Sequence, residues 1–223
     1  MIKIMLRRIG LFLLVCFVLL GIYARTNTVR IATLKYNGGG DWYSNPTALP
    51  NLVAFANANI PAHIDTDIAT VFVGSAELFN YPYVYMTGHG NVVFSQADVE
   101  NIRTYLTSGG FLHIDDNYGL DKFVRREMKK VFPEHDFIEL PSNHPIYNQT
   151  FSFPHGLPKI HEHDGKPAQG FGIVYNNRLV CFYTYECDLG NGWENKEIHS
   201  LTDVKRESAL QMGANVLHYV FTQ

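Results

Sequence analysis

The chain has 223 residues, of which 46% are hydrophobic and 17% are charged. These proportions are ordinary for one globular domain, and a chain of this length can bury a core without disulfides or a structural metal. The net charge is -3, and the basic runs Arg125-Arg126 and Lys129-Lys130 are short and fall on the solvated face of a predicted helix. The composition therefore excludes a protein that binds nucleic acid through a basic surface.

The first 24 residues predict a membrane-targeting segment. Three basic residues, Lys3, Arg7 and Arg8, precede an almost purely apolar run from Ile9 to Tyr23. A basic start followed by about 15 apolar residues is typical of a signal peptide and is short for a membrane-spanning helix. An uncleaved anchor is the alternative, because Ile22 is bulky for a residue so close to the expected cut. Either version exports the following domain to the periplasm or to the outer face of the inner membrane.

From residue 29 onwards, strand patterns alternate with helix patterns, which predicts a single domain over residues 29–223. In chain order the pattern predicts strands at 29–36, 83–87 and 111–114. A helix follows each strand. The first runs from Asn45-Pro46 to Ile60 with Asn45 as cap, the second begins after the cap Ser95 and ends at Gly109-Gly110, and the third spans 120–131. Such alternation implies a mostly parallel sheet with helices on both faces. The fold class is therefore a three-layer α/β domain.

The rest of the chain departs from this alternation. The segment at 136–170 is rich in Pro, His and Gly and lacks periodicity, and a long irregular segment in a compact domain is often a functional loop. Two short strands at 171–175 and 179–185, joined by Asn176-Asn177, predict a C-terminal antiparallel hairpin. A closing helix is predicted at 209–221.

Two cysteines, Cys181 and Cys187, follow the targeting segment. On one continuous strand they would be about 20 Å apart and could not bridge. A strand that ends near Tyr185 and then turns would permit a disulfide in an oxidising compartment. We expect two free thiols.

Four separated motifs lie in order along the chain: Gly-Gly-Gly-Asp-Trp at 38–42, Thr-Gly-His-Gly at 87–90, Ser-Gly-Gly-Phe-Leu-His-Ile-Asp-Asp at 108–116 and Asn-His-Pro-Ile-Tyr at 143–147. Together they make the chain resemble the bacterial domain of unknown function 4159 family, whose members are often exported or tethered to membrane segments. The resemblance covers essentially everything after Val29. It implies a class I glutamine amidotransferase-like, flavodoxin-like fold, and it implies no established reaction.

The resemblance to glutamine amidotransferases raises the question of a nucleophile. In those enzymes a strand runs into a tight elbow that presents a catalytic cysteine. Here the comparable strand is 110–114, and the elbow position holds Asp115 or Asp116 with no cysteine nearby. Because a carboxylate cannot replace a thiolate in glutamine hydrolysis, we do not expect glutaminase activity.

Ligands of open α/β sheets bind beyond the carboxyl ends of the strands. That edge should gather the candidate ligand-binding residues Gly39, Gly40, Asp41, Trp42, Gly88, Asn117 and Tyr118. The glycines would let a ligand approach the backbone, but the loop lacks the Lys-Ser/Thr of a phosphate-binding loop, and Asp41 would repel an anion. The structural alternative is a tight glycine turn with Trp42 closing the end of the domain.

Ionisable residues form a candidate catalytic set: Asp115, Asp116, His89 and His144. In this set a carboxylate would act as general base together with an imidazole, although His144 could simply build a turn before Pro145. His161 and His163 are candidate metal ligands, since alternate residues of a strand share a face and imidazole binds zinc-like ions. No HExxH-type spacing accompanies them. A divalent metal ion is therefore the one cofactor that the pattern suggests, and the pattern does not identify which metal.

The favoured function is an exported domain that binds a small molecule, a glycan or an envelope protein without catalysis, because the nucleophile is missing. The alternative is a periplasmic hydrolase or carbohydrate-active enzyme that uses the Asp and His set, with or without a metal. A scaffold role in a membrane-associated complex is a third hypothesis. Contact with the membrane would come through the N-terminal segment if that segment is not cleaved.

Overall fold

The computed structural model describes residues 28–223, so the predicted signal peptide or anchor lies outside the described residues. The strands are β1 (Ala32–Lys35), β2 (Ala69–Phe72), β3 (Tyr83–Gly88), β4 (Phe111–Asp116), β5 (Ile138–Glu139), β6 (Gln169–Tyr175) and β7 (Arg178–Tyr185). The helices are α1 (Ala48–Asn59), α2 (Gln96–Thr107), α3 (Asp121–Val131), α4 (Leu189–Trp193), α5 (Lys196–His199) and α6 (Asp203–Thr222), and 3-10 turns span Ala76–Asn80 and Pro145–Tyr147. Within residues 28–223, no helix has both the length and the apolar character needed to cross a bilayer.

The strands form one sheet in the order β2-β1-β3-β4-β7-β6-β5. Strands β2, β1, β3, β4 and β7 run parallel, whereas β6 pairs antiparallel with β7, and β5 pairs antiparallel with β6. The strand order reverses between β1 and β3, because the chain passes from β1 to its outer neighbour β2 before it returns to β3. The predicted α/β fold with a mostly parallel sheet and a C-terminal antiparallel hairpin is confirmed, and its layout is flavodoxin-like.

Alternate residues of the central strands face two hydrophobic cores. Tyr83, Tyr85 and Phe111 belong to the core that contains α1, α4 and α6. Val84 and Leu112 belong to the core that contains α2 and α3. Because both faces of the sheet are covered, the strands read as nearly continuous apolar runs. The same alternation sends consecutive residues at the end of β4 to opposite sides of the sheet.

The two predicted helix caps have different outcomes. Ser95 caps α2 in a complete capping box, in which its Oγ accepts the N–H of Asp98 and the Asp98 carboxylate accepts the N–H of Ser95. The predicted Asn45 cap is wrong, because α1 begins at Ala48. Asn45 has a φ of 57° and donates its side-chain N–H to Asn191 instead. A tertiary hydrogen bond therefore overrides the local Asn-Pro signal.

Several elements are absent from the sequence-based prediction. β2 is a four-residue strand with only Val71 buried, and β5 has two exposed residues. α4 contains Gly190 and Gly192, which disfavour helix, and α6 begins at Asp203, ahead of the predicted start at 209. α4 forms because it packs against α1 and α6, so packing rather than local propensity determines this region.

The cysteines are free and fully buried. Cys181 lies on β7 in the core under α2 and α3, whereas Cys187 lies in the core on the other face of the sheet. The Cys187 thiol donates to the carbonyl of Pro158 at 2.9 Å. Burial raises the pKa of both thiols, so neither is a ready nucleophile. The expectation of unpaired thiols agrees with the structure.

Candidate functional site

The loops that follow β1, β3, β4 and β7 meet at one edge of the sheet, which we call the carboxyl edge. Because the strand order reverses between β1 and β3, the loops after these two strands lead away on opposite sides, as at the ligand sites of other open α/β sheets. The predicted ligand-binding residues all belong to segments at this edge: Gly39, Gly40, Asp41, Trp42, Gly88, Asn117 and Tyr118.

The glycine loop after β1 packs closely against the loop after β3. Gly40 donates its N–H to the carbonyl of Asn91 at 2.9 Å. A Cβ on Gly38 or on Gly40 would lie 2.8 Å from that same carbonyl oxygen, and Gly38 also has a φ of 117°. The glycines are therefore needed for the approach of one loop to the other, which favours the structural interpretation of the motif over a phosphate-binding loop.

Asp41 and His89 join these two loops across the point where the strand order reverses. The Asp41 carboxylate accepts the backbone N–H of His89, and its other oxygen lies 2.9 Å from His89 Nδ1. The side chains are 33% and 50% exposed, respectively. The predicted catalytic residue His89 is therefore paired and open to solvent at the carboxyl edge, but its partner is Asp41 rather than either elbow carboxylate.

Asp115 is a fully buried carboxylate with four hydrogen-bond donors. Its oxygens accept from the hydroxyl groups of Tyr85 and Thr184, at 3.1 and 2.5 Å. They also accept the first backbone N–H groups of α4, from Leu189 at 3.3 Å and Gly190 at 2.7 Å. Burial raises the pKa of Asp115, and these four bonds oppose that rise. The geometry favours an anchor that ties β4 to β7 and α4, and a catalytic role for Asp115 stays a prediction.

Asp116 points to the other side of the sheet. One of its oxygens accepts the N–H groups of Tyr118 and Leu120, at 3.0 and 2.9 Å, and the other accepts the hydroxyl of Tyr183 at 3.2 Å. This pattern forms the turn that leads into α3. Burial raises the pKa of Asp116 as well. The two elbow carboxylates thus have their hydrogen-bonding partners on opposite faces of the sheet.

His144 lies away from the carboxyl edge. Its Nδ1 accepts the N–H of Ile146, and its ring packs against Tyr219 with 5.6 Å between the centroids. Tyr219 lies close enough to affect the pKa of Arg178, which begins β7 and so marks the opposite edge of the sheet. The four predicted catalytic residues therefore do not converge in one pocket. His144 builds a turn, which was the alternative reading.

A chain of hydrogen bonds links the ends of β4, β1 and β7. Asn117 donates to Asn45 at 3.4 Å, and Asn45 donates to Asn191 at 3.1 Å. Asn191 then donates to Asp188 at 3.3 Å. We call these four residues the carboxyl-edge network. Its members come from three separate loops, so they are neighbours only because the sheet brings those loops together.

Asp188 ends the network and is completely buried, with its two oxygens in different situations. Oδ2 contacts His163 Nε2, lies 3.3 Å from His161 Nδ1 and accepts from Asn191. Oδ1 has no hydrogen-bonding partner among the described residues. Burial, together with the charges of Asp115 and Asp116, raises the pKa of Asp188 to about 8. The carboxylate is thus poorly stabilised by the protein alone.

The predicted metal ligands His161 and His163 both reach Asp188. The ligand atoms of these three residues lie within 4.8 Å of one another. His163 stacks on Tyr118, with 4.4 Å between the ring centroids, and Tyr118 donates its hydroxyl to Asp164 at 3.1 Å. The irregular segment at 136–170 therefore brings two imidazoles to the carboxyl edge, and its role as a functional loop stays a prediction.

Two grooves open beside the network. One, of about 340 Å³, is lined by Trp42, Tyr43, Ser44 and Tyr85 among others. The Oγ of Ser44 is buried there without a hydrogen-bonding partner. The other groove, of about 360 Å³, lies beside Tyr118. Both grooves are large enough for a small molecule and carry aromatic rings on their walls.

The carboxyl edge is acidic. Its carboxylates are Asp41, Asp115, Asp116, Asp164, Glu186 and Asp188. Lysines also lie at this edge: Lys159 contacts Glu186 at 2.9 Å, Lys166 lies 3.6 Å from Asp164, Lys35 lies 4.8 Å from the centre of the Trp42 ring, and Lys122 lines the second groove. The carboxylates outnumber these lysines, which disfavours phosphate and nucleotide ligands.

Sequence reasoning missed Asp188 and Asn191. The pattern indicated that β7 forms a hairpin with β6, but it did not indicate that β7 also runs parallel to β4. With that pairing, the polar residues directly after Tyr185 belong to the same edge as those after β4. The run of Glu and Asp after an apolar strand was the available signal.

The comparison with protein families agrees with the motifs. No curated protein matches the chain. The family model of the domain of unknown function DUF4159 matches residues 30–221, which is nearly the whole of the described domain and contains all four motifs. The chain therefore belongs to the DUF4159 family.

Proposed function

We propose that this domain binds a small, neutral, hydroxyl-rich molecule, such as a sugar, at the carboxyl edge of its sheet. One observation carries the proposal. Four buried oxygens have no hydrogen-bonding partner in the described part of the chain, and besides Thr87 Oγ1 at the end of β3 they are Ser44 Oγ, Asn117 Oδ1 and Asp188 Oδ1. The last three carry the argument. They lie on the carboxyl-edge network or, for Ser44, on the residue next to it.

Buried polar atoms without partners are rare, because each costs about 1–3 kcal/mol relative to a satisfied one. Ser44 lines the groove of about 340 Å³, and Asn117 and Asp188 connect to that groove through its lining residue Asn45 and the carboxyl-edge network. Such a set of unpaired atoms supports a polar molecule or ordered water at this edge in the functional state. The amide oxygen and the carboxylate oxygen accept hydrogen bonds, and the Ser44 hydroxyl can both donate and accept. Hydroxyl groups of a ligand match this set.

The walls of the groove favour a sugar over an ion. Tyr43 is 65% exposed and stands edge-on to Trp42, with 5.5 Å between the centroids. Aromatic rings beside polar groups suit a ligand with one apolar face and a polar rim. The acidic field of the edge weakens the binding of anions, so phosphorylated sugars should bind less well than neutral ones.

The hydrogen bonding of Asp115, at the turn after β4, favours a binding role without catalysis. Asp115 stands where related folds carry their nucleophile, and four donors already occupy it. A hydrolase is the second candidate, and the contact of His161 and His163 with the buried Asp188 is the observation that favours it. In that case Asp188 and an imidazole, and not Asp115, would activate water.

The proposal also covers the cellular location of the domain and its superfamily. The basic and apolar N-terminal segment supports export, so the ligand would be met in the periplasm or at the outer face of the inner membrane. The flavodoxin-like layout and the turn after β4 support kinship with the class I glutamine amidotransferase-like domains. Envelope proteins that display glycans are the partners that this proposal allows.

The test uses the full chain, purified in mild detergent, in thermal unfolding against a panel of neutral and phosphorylated sugars, followed by calorimetric titration of any hit. At least one neutral sugar should raise the unfolding temperature, since a ligand at 100 times its Kd adds about 2.7 kcal/mol. Inorganic phosphate should have no effect.

Ser44→Ala is the sharpest variant, because Ser44 Oγ has no partner in the described chain and its removal should leave stability unchanged. Loss of one ligand hydrogen bond should weaken the binding of a neutral sugar about 10-fold. Ser108→Ala, at an exposed position beyond α2, is the matched control and should bind normally. The proposal fails if no neutral sugar stabilises the protein, or if Ser44→Ala binds as the unaltered chain does.

A further inference from the structure

We propose that His161, His163 and Asp188 bind a divalent transition-metal ion, for which Zn²⁺ is the probe. The proposal goes beyond sugar binding and does not depend on it, although Asp188 belongs to both sites. Two imidazoles and one carboxylate are a common ligand set for zinc and for other ions that accept imidazole nitrogen.

The three residues are near neighbours, and the spacing of His161 and Asp188 is what an ion requires. With zinc–ligand distances of about 2.0–2.2 Å in a tetrahedron, neighbouring ligand atoms lie about 3.4 Å apart. His161 Nδ1 lies 3.3 Å from Asp188 Oδ2, and all three ligand atoms lie within 4.8 Å of one another. His163 Nε2 contacts Asp188 Oδ2 directly, so these two atoms must separate to place an ion between them, whereas His161 already has the required spacing.

A second observation points independently to a ligand at Asp188. This side chain is fully buried, and its Oδ1 has no partner among residues 28–223. Its neighbours include the carboxylates of Asp115 and Asp116, which add negative charge in a poorly hydrated place. A buried carboxylate normally has a cation or several donors, and a divalent ion would supply the missing positive charge.

The surroundings hold the ligands in position. The ring of His163 stacks on Tyr118, and the hydroxyl of Tyr118 is in turn held by Asp164. Asn191 donates to Asp188 and so orients the carboxylate. Such supporting contacts are typical of metal sites, where they fix the ligand rings and strengthen binding. Three protein ligands would leave one tetrahedral position for water or for a bound molecule.

A third imidazole stands close to the cluster. His199 lies near enough to His161 for their charges to interact, and its buried Nε2 has no hydrogen-bonding partner in the described chain. Its Nε2 lies 3.9 Å from a carboxylate oxygen of Glu194. His199 is not among the residues whose ligand atoms lie within 4.8 Å of one another, so the proposed site uses His161, His163 and Asp188 alone.

The experiment uses the full chain in detergent, with any affinity tag removed and with bound metal stripped by a chelator. Zinc is added back at pH 7.5, the bound metal is counted by mass spectrometry, and the affinity is measured by calorimetry. We expect one zinc ion per chain. Mg²⁺ in large excess should not displace it, because Mg²⁺ prefers oxygen ligands.

Three variants make the assignment specific. The double variant His161→Ala/His163→Ala should bind zinc at least about 100-fold more weakly, since it loses two direct ligands where supporting residues alone contribute 10–100-fold. Asp188→Asn should show a similar loss. His155→Ala removes an exposed imidazole from the same segment and should bind zinc as tightly as the unaltered chain.

The proposal is overturned if the stripped chain takes up no zinc, or if the double variant binds zinc as tightly as the His155→Ala control. The first result would mean that the three residues form a plain hydrogen-bonded cluster. Because the double variant changes partly exposed side chains, its folding can be verified by thermal unfolding without zinc. Sugar binding is tested with Ser44→Ala, which leaves all three metal ligands intact. Either proposal can therefore fail without the other.

Discussion

Asp115 and Asp188 are both fully buried carboxylates at the carboxyl edge, but they differ in how many hydrogen bonds their oxygens accept. Asp115 has four donors spread over its two oxygens. Asp188 has its contacts on one oxygen and none on the other. A carboxylate that the fold satisfies completely belongs to the architecture, whereas one that the fold leaves half satisfied is available to a ligand.

The comparison reverses the expectation from sequence. The resemblance to amidotransferases drew attention to the residue at the elbow, and that residue is the one occupied by four donors. The partly satisfied carboxylate follows the neighbouring strand β7, directly beyond the hairpin. The motif that contains Asp115 therefore indicated the correct edge of the sheet. The carboxylate with an oxygen free to bind a ligand is nevertheless Asp188 and not Asp115.

The largest expected effect is on Asp115. Asp115→Asn turns an amide NH₂ toward at least one backbone N–H of α4, so two donors lose their acceptor. At about 1–3 kcal/mol for each buried unsatisfied group, the free energy of unfolding should fall by about 3 kcal/mol or more. Urea unfolding of the full chain in detergent measures this loss.

Asp188→Asn is the matched comparison for that experiment. With metal absent, it should change the free energy of unfolding by less than about 1 kcal/mol, because the amide NH₂ can take the place of the oxygen that already has no partner and the other oxygen keeps its contacts. Equal losses for the two variants would remove the distinction between a structural and an available carboxylate.

A smaller effect concerns His113, which lies on the same face of β4 as Asp115. Its ring is fully buried between Tyr83, which contacts its Nδ1 at 2.8 Å, and Thr184. Burial lowers the pKa of His113 from 6.5 to about 3. Below pH 6.5, His113 therefore binds a proton in the unfolded chain but stays neutral in the folded chain. The free energy of unfolding falls as the pH decreases from 6.5 toward 3.

At pH 5 the loss from His113 should be about 2 kcal/mol relative to pH 7, from 1.4 kcal/mol for each pH unit below 6.5. Comparing urea unfolding of the unaltered chain and of His113→Gln at both pH values isolates this contribution. Gln does not titrate, so the variant should lose about 2 kcal/mol less between the two pH values. Identical pH dependence would show that the ring is not held neutral.

The smallest expected effect is at the exposed pair of Asp41 and His89. Because both side chains are open to solvent, Asp41→Ala should lower the free energy of unfolding by less than about 1 kcal/mol. The same urea experiment at low and high salt measures it, and salt should reduce the difference further. A loss as large as that of Asp115→Asn would mean that this pair, too, is part of the architecture.

Much of the fold could be predicted from local pattern. The strands at β1, β3, β4, β6 and β7 and the helices α2 and α3 have clear periodicity and strong end signals, such as the Ser95 capping box. β2 and α4 could not be predicted, because one is half exposed and short and the other contains two glycines. Their stability comes from neighbours that are distant in the sequence.

The candidate site divides in the same way. The sequence indicated the carboxyl edge, the imidazoles His161 and His163 and the absence of a cysteine at the turn after β4. It could not indicate Asn45 and Asn191, whose side chains meet across 146 positions of the chain. It also predicted His144 for the site, although that ring packs on α6 near the opposite edge.

By itself, the sequence determined the fold class, the family and the absence of a cysteine at the turn after β4, because each depends on residue types at short spacing. Only the tertiary structure decided which carboxylate is satisfied and which is available. That difference depends on how β4 and β7 pair, since the pairing aims the first N–H groups of α4 at Asp115 and leaves one oxygen of Asp188 without a donor. Hydrogen-bond partners that are supplied across a sheet cannot be read from local sequence.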